Sequence, residues 1–312
     1  MTDPTPFADA PLFIVLNAGS GKRDAAQASA TISRVLHDAG RAHTILQVCN
    51  AKHLADTARD AVEHAQAQRG IVVAAGGDGT INAVTQAVLG SGCPFGVLPQ
   101  GTFNYFSREH GIPSDTEAAT RLLLTGRIKP VQVGRVNDRV FLVNASIGLY
   151  PEVLEDREEW KRQLGRKRIV ALFSGLATLL RGCRRMTLEI EHEGRTRTQD
   201  MMTLFVGNNP LQLAQVGLHE DGSAGNGRLA AVMLPPTGRL VLLWLMARGM
   251  LGRLGDADAV QRFDFRSLCL HPGRSRRKVK VATDGEIRRM ALPLRFDVAP
   301  QPLPLIVPDD TA

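Results

Sequence analysis

Ala74-Ala75-Gly76-Gly77-Asp78-Gly79-Thr80-Ile81-Asn82 joins an apolar run, Ile71 to Ala75, to a helical one, Ile81 to Leu89. A buried strand that ends in three closely spaced glycines and restarts as a helix describes a strand-turn-helix unit whose backbone can approach a ligand. Thr80 can cap the helix, and the free N–H groups at a helix start attract phosphate. Asp78 inside such a cradle would repel an anion unless it holds a cation or takes a proton. The plain alternative is a glycine-rich turn whose aspartate only caps.

Outward from this loop the same rhythm repeats. Leu12 to Asn17, His43 to Val48 and Phe95 to Leu98 are strand patterns, and Asp24 to Ala39, Ala51 to Gln68 and Ser114 to Thr125 are helical. Strand-helix alternation implies a parallel sheet covered on both faces, with ligands at the carboxyl ends of its strands. Two more polar loops sit at such ends. Leu98-Pro99-Gln100-Gly101-Thr102-Phe103-Asn104 follows the fourth strand, with Gly101, Thr102 and Asn104 offering hydrogen bonds. Asn17-Ala18-Gly19-Ser20-Gly21-Lys22 follows the first and contributes Asn17 and Ser20 as candidate contacts. It is neither a Walker A loop nor a Gly-x-Gly-x-x-Gly dinucleotide loop.

Beyond about residue 130 the pattern becomes β-rich. Met186 to His192 and Lys278 to Ala282 alternate clearly, and Val140 to Ala145, Met201 to Val206, Leu229 to Leu234, Phe265 to Leu270 and Leu292 to Val298 are further strands. Their number and spacing favour a sandwich or barrel. Helical stretches at Val153 to Arg181 and Leu240 to Leu251 interrupt them, and the proline-rich Ala299 to Ala312 reads as extended.

Composition narrows the partners. Among 312 residues, 44% are hydrophobic and 22% charged, which is the profile of a soluble globular chain. The net charge of +7 is uneven: residues 1–150 hold 13 Lys/Arg against 12 Asp/Glu, and residues 151–312 hold 25 against 19. A basic surplus confined to the second half suggests an anionic partner there. With only 5% aromatic residues and no clustered stacking pairs, nucleic acid is not that partner. Cys49, Cys93, Cys183 and Cys269 lack the paired spacings of zinc or dithiol sites and read as free thiols in a reducing compartment. Met1 to Pro11 has no basic n-region or long apolar run, and no stretch reaches the length of a spanning helix, so a cytoplasmic location is expected.

Taken in order, Gly76-Gly77-Asp78-Gly79-Thr80 with Asn82, Pro99-x-Gly101-Thr102-x-Asn104, Asn144-x-x-x-Gly148, Gly207-Asn208 and Asp284-Gly285-Glu286 resemble the diacylglycerol kinase catalytic family, which includes sphingosine kinases and bacterial soluble lipid kinases. The resemblance covers roughly residues 11–298. It implies an α/β nucleotide-binding domain with a parallel sheet over 11–133, with the tail 299–312 packing back on it, and a β-sandwich domain over 134–298. The active site would lie in the cleft between them. It also implies transfer of the γ-phosphoryl group of ATP, with magnesium, to a lipid hydroxyl. Gly76 to Asn82, which include Gly79, and Thr102 would hold ATP, with Asn50 after the second strand as another nucleotide contact. Asp78 would serve catalysis and the metal, and Glu286 would be the general base.

Two motifs depart from the family pattern. Asn104 is followed by Tyr105 where the family usually has Asp. The magnesium-binding Asp-Gly-x-Leu of the second domain is Asn226-Gly227-Arg228-Leu229 here, and Asn is a weaker ligand than Asp for a hard cation. Asp221, five residues earlier, is a second candidate. An NAD-kinase-like phosphotransferase and a non-catalytic nucleotide-binding relative remain as alternatives. The cations of Arg157 to Arg168 are interleaved with acids, whereas Arg181, Arg184, Arg185 and the Arg274-to-Lys280 segment are not. The last is the best candidate for peripheral contact with an anionic membrane.

Overall fold

The computed structural model describes residues 9–18, 22–148, 186–192, 195–208, 227–238, 241, 260–272 and 277–309. The expected helices at Val153 to Arg181 and Leu240 to Leu251, the basic residues between Arg157 and Arg185 and at Arg274 to Arg276, and the candidate ligands Ser20, Asp221 and Asn226 lie outside the described residues. The chain divides into two compact units, Met1–Val133 with Pro300–Ala312, and Gly134–Ala299.

The first unit is α/β, as the alternation predicts. Strands β1 (Leu12–Asn17), β2 (His43–Val48), β3 (Ile71–Gly76), β4 (Phe95–Pro99) and β5 (Arg127–Val131) share one sheet with β18 (Leu303–Val307), in the order β2-β1-β3-β4-β18-β5. All neighbouring pairs are parallel except β18 with β5. Leu12, Ile14 and Leu16 on one face of β1 join Ile32 and Leu36 in a core that also holds Ala119 and Leu123. Those helical residues belong to α1 (Lys22–Asp38) and α5 (Thr116–Thr125). The other face carries α2 (Leu54–Gln68) and α3 (Asp78–Val88), which pack on each other. In α2 the buried Leu54, Ala58, Ala61, Val62 and Ala65 recur at helical spacing and form its inner stripe. The helix stops at Arg69, whose left-handed backbone turns its N–H back onto Ala65 O. A short α4 (Tyr105–Glu109) follows the loop after β4.

Within the extended tail, Leu303 to Val307 forms a strand that completes the sheet between β4 and β5.

The second unit is an antiparallel sandwich. One sheet has the order β10-β9-β14-β17-β6-β7 and the other β13-β12-β11-β8-β15-β16. The strands are β6 (Gly134–Val136), β7 (Arg139–Phe141), β8 (Asn144–Gly148), β9 (Met186–His192), β10 (Arg195–Met201), β11 (Thr203–Gly207), β12 (Leu229–Leu234), β13 (Gln261–Phe265), β14 (Ser267–Pro272), β15 (Lys278–Thr283), β16 (Glu286–Ala291) and β17 (Leu294–Val298). Residues from both sheets, including Phe141, Leu188, Leu204, Phe265 and Phe296, form one core. Three segments expected as single strands are each two. Val140 to Ala145, Met201 to Val206 and Phe265 to Leu270 each cross from one sheet to the other, at Leu142-Val143, Met202 and Arg266. At the first two corners the side chains stay buried, so the apolar pattern runs through the break.

Candidate functional site

Motif residues gather into one cluster in each unit. In the first unit β1 leads to β2 on one side and β3 lies on its other side, so the strand order reverses at β1. The carboxyl ends of β1 and β3 open a crevice at such a switch point. Gly76 ends β3, Gly77 is the N-cap of α3 in extended conformation, and no side chain caps that helix. The expectation that Thr80 caps is therefore corrected. Thr80 lies inside the first turn, buried, and its Oγ1 accepts a hydrogen bond from Asn17 Nδ2 at 2.8 Å. A Cβ on Gly76 would stand 2.6 Å from Thr80 Cβ, so the packing of that turn onto β3 requires glycine.

The loop after β4 packs backbone against backbone on the Gly77 turn. Gln100 N donates to Gly76 O at 2.9 Å. A Cβ on Gly101 would come within 2.9 Å of Gly77 Cα and 2.7 Å of Asn104 Oδ1. Asn104, buried and with a left-handed backbone, closes this loop on itself: Oδ1 accepts from Gly101 N at 3.0 Å and Nδ2 donates to Gly101 O at 2.9 Å. Its amide thus shapes the loop. Thr102 is exposed at the tip, between Gly101 and an exposed stacked pair, Phe103 and Tyr105, whose ring centroids are 5.5 Å apart.

Asp78 opens α3 beside the start of α4. Burial pushes its carboxyl above the ordinary carboxylate range, while the backbone amides of Asn104, Tyr105 and Phe106 and its own amide pull the other way. Its Oδ1 is buried without a hydrogen-bond partner. A buried carboxylate oxygen left unmet beside a glycine-lined turn has the hard-oxygen chemistry that a magnesium ion requires. Gly79 is the second residue of α3 and half-buried Asn82 lies one turn in. Asn50 is exposed just past the end of β2, where its Oδ1 accepts from Lys52 N at 3.0 Å and starts a short 3-10 turn, Ala51–His53.

The second cluster lies at one end of the sheet containing β8, β11 and β15. Asn144 pairs with Gly207, and Ala145 with Thr283. Asp284 and Gly285 form the two-residue turn of the β15–β16 hairpin with φ of 47° and 88°, the left-handed pair of a type I′ turn. The Asp284 carboxylate accepts from three consecutive amides, Leu142 N at 2.8 Å, Val143 N at 2.9 Å and Asn144 N at 3.0 Å. From the other side, buried Asn208 donates Nδ2 to Leu142 O at 3.0 Å and its N–H to Val143 O at 3.1 Å. This clamp role of Asp284 is absent from the sequence reading; its signal is the Asp-Gly pair after an alternating strand. Glu286 begins β16, exposed, with Arg288 Nη2 3.2 Å from its Oε2.

Residues 11–136 match the family model for the diacylglycerol kinase catalytic domain. A "Probable lipid kinase YegS-like" of Cronobacter sakazakii is 30% identical over 206 residues, 63% of this chain and 64% of that protein. A "Diacylglycerol kinase" of Bacillus subtilis is 33% identical over 155 residues, 48% of this chain and 50% of the other. The matches thus span between half and two thirds of the length of these relatives. A crystal structure of a diacylglycerol kinase from Bacillus anthracis shares the fold, with a TM-score of 0.69 at 18% identity, covering 97% of this chain and 98% of that one. Matched model, curated relatives and shared fold agree with the ordered motifs: residues 11–136 match the diacylglycerol kinase catalytic domain, and the chain shares the fold of a solved diacylglycerol kinase.

Proposed function

We propose that the chain is an ATP-dependent lipid kinase that transfers the γ-phosphoryl group to the hydroxyl of a diacylglycerol-like lipid. The observation that carries the reading is Asp78: a half-buried carboxylate with one unmet oxygen, at the head of an uncapped helix, in a turn lined by Gly76, Gly77 and Gly101. Amides at the start of α3 hold phosphate oxygens, and Asp78 Oδ1 is the position for magnesium, which when bound neutralises phosphate charge. Asn17, Thr80 and Asn104 act by fixing the two loops, since their side chains bond to one another or to Gly101. Gly79, Asn82, Thr102 and Asn50 complete the nucleotide site.

In the reaction the lipid hydroxyl oxygen bonds to the γ-phosphorus, the bond to the β-phosphate oxygen breaks, ADP leaves, and the hydroxyl proton passes to Glu286. An exposed carboxylate on a turn held by Asp284 is accessible to an incoming hydroxyl and fixed at its base. The β15–β16 hairpin also displays Arg277, Lys278, Arg288 and Arg289 as exposed cations, which suits peripheral contact with an anionic membrane at about 1 kcal/mol each.

Incubation with labelled ATP, magnesium and a panel of lipid acceptors tests the proposal. Transfer to a glycerolipid hydroxyl is expected, reduced about 100-fold or more in Glu286→Gln. No transfer to any lipid, with wild type and Glu286→Gln alike, overturns it. Cosedimentation with phosphatidylglycerol vesicles, against phosphatidylcholine vesicles, tests the membrane contact.

A further inference from the structure

Away from both motif clusters, the outer face of the sandwich brings together Glu191, Cys269 and His271. Core residues Leu188 and Ile190 of β9, and Leu268 and Leu270 of β14, point inward. The alternate residues Glu191, Cys269 and His271 therefore share the opposite face. Cys269 is directly opposite Glu191 in the antiparallel ladder, and His271 follows two residues along the same strand, opposite Glu189. Directly opposed Cβ atoms stand about 5 Å apart, and residues two apart on a strand are separated by about 7 Å. That spacing lets three side chains converge on one point above the sheet. They do converge: one thiol, one imidazole and one carboxylate ligand atom all lie within 4.8 Å of one another. His271 Nε2 is 3.1 Å from Glu191 Oε2.

We propose that Glu191, Cys269 and His271 form a binding site for a borderline divalent cation, zinc foremost. Bonds of about 2.3 Å to sulfur and about 2.0–2.2 Å to nitrogen and oxygen place tetrahedral ligand atoms roughly 3.3–3.8 Å apart. Closing the present separations to those values takes side-chain rotation without strand movement. One thiolate, one imidazole and one carboxylate are a zinc donor set rather than a magnesium or calcium set, which would use oxygen alone. The fourth position is left to water, because the site faces solvent. Arg295, the other cross-strand neighbour of Cys269, has its guanidinium 3.2 Å from Asp297 Oδ2 rather than in the trio. Loading the site would tie β9 to β14 across the middle of their sheet.

Cobalt(II) titration of the chelator-dialysed full chain tests this directly, because a thiolate on four-coordinate cobalt gives a near-ultraviolet charge-transfer band and intense visible bands. One equivalent is expected to saturate both, and zinc should displace cobalt. Cys269→Ser should abolish the charge-transfer band, His271→Ala and Glu191→Gln should weaken binding at least tenfold, and Cys49→Ser should leave it unchanged. These side chains are at the surface, so the variants are expected to keep the wild-type circular dichroism. As a second readout, zinc should raise the melting temperature of wild type but not of Cys269→Ser. A missing band, or one that persists in Cys269→Ser, overturns the proposal, as does an equal zinc effect on both melting temperatures.

Discussion

Two aspartates, one in each unit, sit at the centre of a motif cluster and are handled in opposite ways. Asp284 meets three consecutive amides, and its neighbour Glu286 is exposed, with Arg288 beside it. Asp78 is crowded by the glycine turn and the start of α4, and keeps one buried oxygen without a partner. A carboxylate whose oxygens are all met holds backbone in place; one left partly unmet is ready for a cation or a proton. The difference lies in what surrounds each carboxylate, since the residue type and the adjoining glycine are the same.

The largest expected effect tests the clamp. Asp284→Ala leaves three amides without their acceptor and puts alanine in a left-handed position, a loss of about 4 kcal/mol. Urea unfolding followed by far-ultraviolet circular dichroism measures the loss. A midpoint unchanged from wild type would reduce the clamp to a passive contact.

Next in size is an acid sensitivity confined to the first unit. His110, at the end of α4, is packed edge-on to Phe106 and held down to about 4 by burial and by Lys129. Glu109 Oε1, 3.9 Å away, is beyond hydrogen-bond reach and does not outweigh burial. A base whose value is lowered on folding keeps its full stability above the unfolded value of 6.5 and loses it as pH falls from there toward 4. The loss is on the order of 3 kcal/mol. Melting curves across that window should flatten in His110→Phe.

Smaller again is Gly101→Ala. The new Cβ meets Gly77 Cα at 2.9 Å, so the two loops must part by a few tenths of an ångström. About 1–2 kcal/mol of stability and about tenfold in phosphoryl transfer should be lost, with KM for ATP the parameter that moves. The smallest change has the opposite sign. Because the Asp78 carboxyl is raised by burial, its ionisation opposes folding as pH climbs through the raised value, and stability is greatest below the ordinary carboxylate range. Asp78→Asn should therefore melt slightly higher than wild type at neutral pH while losing transfer. A lower melting point would mean that the unmet oxygen is stabilised by something other than a bound cation.

Much of this was readable beforehand. Leu12–Asn17 is buried almost throughout and appears as an apolar run, so it is found to the residue, and the half-exposed edge strand His43–Val48 is found to the residue as well. The Gly76 and Gly101 loops are legible because chain reversal needs small residues at fixed places. The sandwich corners are not, since Leu142, Val143 and Met202 stay buried while the chain changes sheets. The strand Leu303–Val307 is hidden by Pro304, normally a mark against a strand. Pro304 is opposite Pro130, so both residues at that rung lack an N–H. The roles of Asn104 and Asp284 depend on which amide lies within 3 Å, and the Glu191, Cys269 and His271 trio draws on two strands far apart in the chain; spacing along the sequence reports neither.

The pairing of β18 with β5 has a topological consequence. Val131 faces Leu303 across one ladder, and Gly134 faces Val298 across another. The sandwich is thus an insertion whose two ends leave from adjacent rungs, and the gap it interrupts in the first unit is equally narrow. Cutting the chain at both crossings and rejoining Val131 to Leu303 through a tight turn yields a contiguous α/β domain. During synthesis the order is fixed the other way: the ribosome completes the whole insert before it delivers the strand that separates β4 from β5, so the place between those two strands stays unfilled until Leu303–Val307 emerges.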